Sequence, residues 1–488
     1  MSINIGALDA TIVIAYMLAV LAFGVWIGRG KQSASRYFLG DRSLPWGALL
    51  LSIVATETST VTFLSIPGLA AAANGNLTFL QITIGYIVGR LGVIFVLLPL
   101  YFRGKPFTAY EVLETRFGTT SRRLVSSLFL LTRNASDALR LFLTALVLQI
   151  VLGLDLNLSV IFIGVVTILY TFIGGARSVI WNDCIQFVIY MLGALLAAKI
   201  IVSSTPGGLE QIVAFANADD KLRVFDFDFD LFKPGMTFWA GLAGGAFLTA
   251  ATHGTDQMMV QRYLSAKKQS DAALALGISG FIVMLQFAVF LLIGVGLASL
   301  FEITAAGSAV SVKNDQLLAH FIVNYMPAGL LGLTLAAVFA AAMSTLSSSL
   351  NSSSAALIND LYLPMKKVPP DDGATLRAGR IATIAFGIVQ TGIALFFGML
   401  ASNESIVANV LKISGFAAGP VLGLYFLGVF VPRVRQRAAL AGFVVGVVVL
   451  SCIAYLTPLH WAWYALTGSL VTLLAGSLAG QVMGRDDA

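Results

Sequence analysis

Residues 55–68 read ATETSTVTFLSIPG. Five of the nine positions from Ala55 to Phe63 carry hydroxyls and one, Glu57, carries an acid, yet apolar sequence flanks the run on both sides. Hydroxyl side chains compete for backbone hydrogen bonds and weaken a helix. At membrane depth that weakness is tolerated only where the backbone lines a cavity. Unwound carbonyls and half-helix ends in such a place bind ions and solutes. The stretch therefore predicts a broken membrane helix.

The rest of the chain agrees with a bilayer as solvent. Of 488 residues, 58% are hydrophobic and 11% charged, with a mean hydropathy of +0.89. Soluble domains carry about 25% charged residues. The net charge of +6 reads as loop charge on the cytoplasmic side, not as a nucleic-acid footprint. Cys184 and Cys452 stand apart in apolar segments, and His253, His320 and His460 form no HExxH. They make neither a zinc site nor a disulfide. A Walker A loop and a GxSxG elbow are missing, which argues against an ATP-driven pump and a membrane enzyme. The N-terminal apolar run lacks a basic leader and a cleavage site, so it is expected to stay as a span.

Apolar runs of spanning length, roughly 20 residues, recur to the C-terminus. They lie near 8–28, 44–69, 76–102, 121–151, 155–175, 181–203, 236–261, 273–300, 316–361, 378–399, 405–431, 437–456 and 459–483. The ninth is too long for one span and should hold a surface helix before a span that starts near Pro327. Lys and Arg follow every odd-numbered span, for example Arg29 to Arg42, Arg103 to Arg123, Arg262 to Lys268 and Arg433 to Arg437. The longest opposite loop, 204–235, is acidic at Asp226, Asp228 and Asp230, and reads as a short strand or an irregular cap. Basic loops mark the cytoplasm. The N-terminus is then outside and the C-terminus inside an inner (plasma) membrane.

A second polar, glycine-bearing stretch runs from Gly244 to Gln257 in span seven. Spans two and seven lie five apart and run in opposite directions, which fits an inverted five-helix repeat broken once in each copy. Span nine holds Ala340 to Ser349, whose small residues suit close helix packing. Its adjacent hydroxyls, Ser344 and Thr345, also suit a hard cation, by analogy with oxygen ligation. Ionisable residues inside spans are Glu57, Arg90, Arg133, Asp137, Arg140, Asp183, Asp256 and Lys412. Such charges face the bundle interior or a cavity. Asp137 and Arg140, at i and i+3, can pair with each other. Asp183 opens span six, where an acid suits the helix dipole.

Three motifs now carry a resemblance. Thr255 to Leu264 (TDQMMVQRYL), Gly174 to Gln186 (GGARSVIWNDCIQ) and Met343 to Leu346 followed by Asn351 and Asp360-Leu361-Tyr362 occur in the order and places of the sodium/solute symporter family. The chain resembles that family over nearly its whole length. The resemblance implies an all-α membrane protein with about 13 helices. Residues 8–28 are an extra helix, 44–203 and 236–431 the two five-helix repeats, and 437–483 two further helices, all in one transporter domain 1–488. It also implies Na⁺ as coupling ion. Its ligands would be the carbonyls of Ala55, Thr58 and Ala341 and the hydroxyls of Ser344 and Thr345. Asp183 would serve a second Na⁺. Ala341 stands where two-sodium relatives can carry a hydroxyl. Glu57 matches an acid tied to Na⁺, or to a proton. Substrate would meet Ser59, Thr62, Phe63, Gln81, Arg140 and Asp256. At Asp256 sugar and iodide relatives tend to have Asn; an acid there could cap a helix, bind a proton or face an amine. Arg140 could pair a carboxylate bidentately.

The expected function is Na⁺-coupled symport of a small organic solute by alternating access, with a lean toward carboxylates and vitamins. A proton-coupled carrier built on Glu57 or Asp256 is the alternative. A sensor would need an output region, and the sequence ends at Gly484 to Ala488 without one. A channel would need a continuous polar pore. A monomer would suffice, with the solute, Na⁺ and the bilayer as partners.

Overall fold

The structure is a computed structural model. It describes residues 6–483 apart from 31, 105, 153, 234, 305–313, 369 and 400–405. Side chains at 150–152, 170, 303–304, 315, 399 and 406–417 are also outside the description, and Lys412 is among them.

Helices lie at every predicted span. In chain order the main ones are α1 (Ala7–Gly28), α2 (Trp46–Glu57), α3 (Thr60–Ala71), α4 (Gln81–Gly92), α5 (Thr119–Leu152), α6 (Leu156–Ser204), α7 (Gly245–Thr255), α8 (Gln257–Leu264), α9 (Gln269–Thr304), α10 (Leu317–Tyr325), α11 (Leu330–Ala356), α12 (Asp372–Met399), α13 (Ile406–Phe430), α14 (Gln436–Leu456) and α15 (Tyr464–Met483). Among the described residues, eight helices are long and apolar enough to cross a membrane, nine when the bent pair α2–α3 counts as one span. The charges Arg133, Asp137 and Arg140 interrupt the apolar run of α5, and the break at Asp256 shortens α7 and α8.

Both predicted breaks are present. α2 ends where Thr58 and Ser59 leave helical geometry (ψ 89° and 176°), and α3 resumes at 58° to it. α7 and α8 part at Asp256, which is extended (ψ 124°). α10 precedes α11 as a separate helix, as the length of that apolar run required. Spans five and six join in α6, which turns at Gly175 with φ +60°. A Cβ there would meet Tyr37 at 2.8 Å, so glycine is required by both backbone and space. Asp183 therefore sits two turns beyond that corner and not at a helix start, a correction to the dipole reading. The loop 204–235 is not a strand: it forms a helix over Gly208–Ala218 and then runs irregularly.

Lipid supplies no hydrophobic force between helices, so close packing holds them together. α11 is the hub. Its most apolar window is 89% buried, against 17% for α1. Small side chains make this possible; Ala340 to Ser349 are all buried. α1 is fastened to α11 by Asp9, whose Oδ1 accepts from Gly329 N and Gly332 N, each at 2.7 Å. Amides at a helix start have no partner within the helix, so Asp9 caps α11 from another helix. Among the described residues, three helices contain a π turn: Val93–Leu97 follows α4, Ala240–Gly244 precedes α7 and Leu357–Tyr362 follows α11.

Candidate functional site

The two breaks face one cavity of about 170 Å³. Ile66, Phe79 and Phe287 line it, with Phe79 stacked on Phe287 at 6.0 Å. Tyr110, Val125, Leu128 and Phe129 line it as well. Tyr110 belongs to a loop held from two sides. Tyr425 Oη donates to Ala109 O at 2.7 Å, and Ala109 N donates to Gln257 Oε1 at 2.7 Å. Thr108 of the same loop donates to the fully buried Asp360 at 2.5 Å, where Arg122 and Ser126 converge at 2.6 and 3.0 Å.

Of the expected substrate residues, Ser59, Thr62, Arg140 and Asp256 line the cavity, as does Glu57. Phe63 and Gln81 do not. Phe63 is fully buried, edge-on to Phe290 at 5.4 Å. Gln81 spends its amide on Thr78 O and Met236 O, both at 3.0 Å, and accepts from Asp226 N at 3.0 Å. It anchors the loop that contains Asp226.

One face of α5 supplies the charge. Arg133, Asp137 and Arg140 follow at i, i+4 and i+7, which stacks them on one side of a helix. Asp137 is fully buried and takes Arg133 in a fork at 2.6 and 2.7 Å, while Arg140 reaches its Oδ1 as well. The Asp137–Arg140 pair read from the spacing is present, with Arg133 added. Arg133 also approaches Asp256 at 3.6 Å. Asp256 Oδ1 accepts from Met258 N at 2.8 Å, so this acid caps α8 at the break. Arg140 keeps a buried Nε that has no hydrogen-bond partner among the described residues. Beside them Glu57 pairs with Arg90 and lies 3.4 Å from His253 Nε2.

Three of the residues expected around Na⁺, Ala341, Ser344 and Thr345, lie on α11 where it passes the end of α2. Thr345 Oγ1 donates to Thr56 O at 3.1 Å and lies 3.4 Å from Ala341 O. Ser344 Oγ donates to Asp183 Oδ1 at 2.7 Å. Both hydroxyls commit their hydrogens elsewhere, which leaves lone pairs available to a cation. The last carbonyls of α2, Ala55 among them, lack helical partners because the helix stops. Thr58 Oγ1 donates back to Val54 O at 2.9 Å.

Arg262 was counted above as a loop charge. It is 3% exposed and lies in the bundle. Its Nη2 reaches Asp183 Oδ2 at 3.1 Å and Ser348 Oγ at 2.5 Å, and its Nε reaches Ser52 Oγ at 2.9 Å. Arg122, on the Asp360 carboxylate, is a second basic residue drawn out of a loop. The sequence signal for Arg262 was its place directly after the polar run of span seven. His253, inside that run, carried the same signal.

Comparison with known proteins agrees with this geometry. The family model described as "Sodium:solute symporter family" matches residues 37–446. The sodium/sialic acid symporter NanT of Aliivibrio fischeri is 31% identical over 479 residues, covering 97% of this chain and 93% of that one. SiaT of Proteus mirabilis, also a sodium/sialic acid symporter, is 28% identical over 97% of this chain and 95% of its own length. The bovine sodium-coupled monocarboxylate transporter 2 is 29% identical over 94% of this chain and 75% of its own. Among solved structures, a Na⁺-coupled sialic acid symporter in a substrate-bound outward-open state superposes with a TM-score of 0.90 at 28% identity, covering 98% of both chains. A nucleobase-cation-symport-1 transporter with bound bromovinylhydantoin shares the fold alone, with a TM-score of 0.60 at 14% identity over 94% of this chain and 96% of that one. With its two broken helices around one cavity, its hydroxyl-bearing α11 and this match along the chain, the protein belongs to the sodium:solute symporter family and is a multi-pass membrane protein that couples Na⁺ to the transport of a small solute.

Proposed function

We propose that the cargo is a small organic acid whose carboxylate docks on Arg140. The observation that carries this reading is Arg140 in the cavity wall, whose buried Nε has no hydrogen-bond partner among the described residues. A guanidinium N–H left unmet in a buried place is costly, and a carboxylate satisfies it by a charge-assisted bond. Sialic acid and monocarboxylates, the cargoes in the names of three relatives, both bear that group. Hydroxyls around the cavity at Ser59, Thr62, Thr132 and Thr249 favour a hydroxyl-bearing acid, so sialic acid is the first to test.

Na⁺ binds at the carbonyls of Ala55, Thr58 and Ala341 and the hydroxyls of Ser344 and Thr345. Asp183 orients Ser344 and offers a place for a second ion. Na⁺ at the end of α2 steadies the outward-facing form. Cargo then closes the outer side at Ile66, Phe79 and Phe287, and Tyr110 and its loop release it on the inner side. Thirteen spans, arranged as one extra helix, repeats 44–203 and 236–431 and two final helices, put the N-terminus outside and the C-terminus in the cytoplasm of the inner membrane. The working unit is a monomer in lipid.

The test is the thermal midpoint of the purified protein in Na⁺ against choline, with sialic acid, pyruvate, proline and glucose added in turn. A ligand that binds only the folded state raises the midpoint. The reading expects a Na⁺-specific rise that an acid enlarges and a neutral sugar does not. A larger shift with glucose than with either acid would overturn the carboxylate assignment. Charge movement then gives the ion count, since the potential is worth about 2.3 kcal/mol per charge per 100 mV.

A further inference from the structure

The segment from Phe225 to Trp239 leaves a block of aromatic rings uncovered. Phe227 is 62% exposed and Phe229 68%. The rings are ordered against one another. Phe225 stacks on Phe227 at 5.6 Å with planes 7° apart, Phe227 meets Phe238 at 5.0 Å, and Phe229 stands edge-on to Trp239 at 6.3 Å. The Trp239 indole N–H donates to Phe227 O at 3.2 Å. The acids alternate with the rings and are engaged differently. Asp226 accepts Lys233 at 2.7 Å, and Asp228 accepts the same ammonium at 3.2 Å. One sequence thus separates an aromatic side from a charged side.

The backbone pins this segment to the ends of membrane helices. Asp226 N is bound by Gln81 at the start of α4, and Phe238 N donates to Asp226 O at 2.6 Å. At the other end His460 N, in the turn between α14 and α15, donates to Leu231 O at 3.1 Å. The residues next to these anchors are themselves exposed and apolar: Tyr455 and Leu456 end α14, and Trp239 enters span seven. The aromatic block therefore continues the apolar surface of the helices it caps.

We propose that Phe225, Phe227, Phe229, Phe238 and Trp239 form an interfacial paddle, with the rings seated among the headgroups and upper acyl chains of the bilayer and Asp228 facing water. Trp favours that layer, and Phe on the apolar face of an interfacial segment buries into the headgroup and acyl boundary. A contiguous apolar patch on a water-exposed loop is otherwise an aggregation liability. The bilayer is the occupant because the patch is continuous with the lipid-facing helices.

The experiment uses full-length protein in phosphatidylcholine–phosphatidylglycerol vesicles. Cys184 and Cys452 are replaced by Ser, and an environment-sensitive fluorophore is attached after Phe227→Cys, Phe229→Cys or Asp228→Cys. The proposal expects lipids with a nitroxide near the glycerol to quench the dye at Phe227→Cys and Phe229→Cys several-fold more than aqueous iodide does. Asp228→Cys should show the opposite order. Equal iodide quenching at all three positions would overturn it. So would shielding from both quenchers, which would mean that a protein surface, such as a second copy, covers the rings. Two ring positions are used so that one variant that fails to fold does not end the test, and solute uptake reports folding.

Discussion

Arg262 and Asp183 meet at 3.1 Å in the middle of the bundle, 79 residues apart in sequence. The pair joins α8, below one break, to α6. Ser52 of α2 donates to the same carboxylate oxygen at 2.5 Å, so the other broken span is tied in as well. The second carboxylate oxygen takes Ser344. One acid thus links the arginine that fills the space beneath α2 to a hydroxyl expected to hold Na⁺.

Removing one member of a buried pair leaves a charge without compensation and costs about 3–5 kcal/mol. Arg262→Gln should therefore lower the thermal midpoint sharply. Adding Asp183→Asn should recover part of the loss, since no charge is then stranded. A double variant at least as unstable as the sum of the two single ones would remove the pair from the account.

Ser344→Ala and Thr345→Ala should each raise the Na⁺ concentration for half-maximal uptake about tenfold, which corresponds to about 1.4 kcal/mol. Folding should survive, because neither hydroxyl is replaced by a larger group. Asp183→Asn should lower the Hill coefficient for Na⁺ if two ions are carried. Unchanged Na⁺ dependence in both hydroxyl variants would exclude the site.

Arg140→Lys keeps the charge and loses the planar fork. We expect the KM for an acid cargo to rise about 10–100-fold, or about 1.4–2.8 kcal/mol. Na⁺-dependent stabilisation without cargo should stay as in the parent. An unchanged KM would mean that the carboxylate binds elsewhere.

The loop around Asp226 gives a pH test. Burial raises the Asp226 carboxyl, but Lys233 and the Asp228 amide outweigh it and hold the group below the usual carboxylate range. A lowered folded value means stability that is present above the unfolded value, about pH 4, and lost as pH falls through the folded one. Lys233→Met should thus cost about 0.2–1 kcal/mol at pH 7, as for a partly exposed pair, and the difference should fade as pH falls through the lowered folded value. A difference constant across that range would assign the effect to packing.

The breaks in spans two and seven could be read from sequence because hydroxyls, Gly and acids are conspicuous in apolar runs. The Asp137–Arg140 pair could be read because helix spacing alone brings the two together. Arg262 could not be placed, since a basic residue just past an apolar run looks the same in a loop and in a bundle; only the partner 79 residues away separates the cases. Asp256 illustrates the middle ground: capping was one of three readings, and the 2.8 Å bond from Met258 N realises it. Phe63 and Gln81 were expected at the substrate from resemblance. Their side chains turn instead to Phe290 and to the loop around Asp226, which follows from neighbours that the local sequence does not contain.

The three π turns have a mechanical meaning. A π turn closes its hydrogen bond one residue later than an α turn, so each stores one residue of slack. Drawing that residue into α geometry would turn the helix beyond it by about 100° and advance it by about 1.5 Å. Val93–Leu97 and Leu357–Tyr362 lie at the ends of α4 and α11, and Ala240–Gly244 lies at the entry to α7. Such a step would move only the part of each helix on one side of its π turn, and Ser344 and Thr345 precede the turn that follows α11.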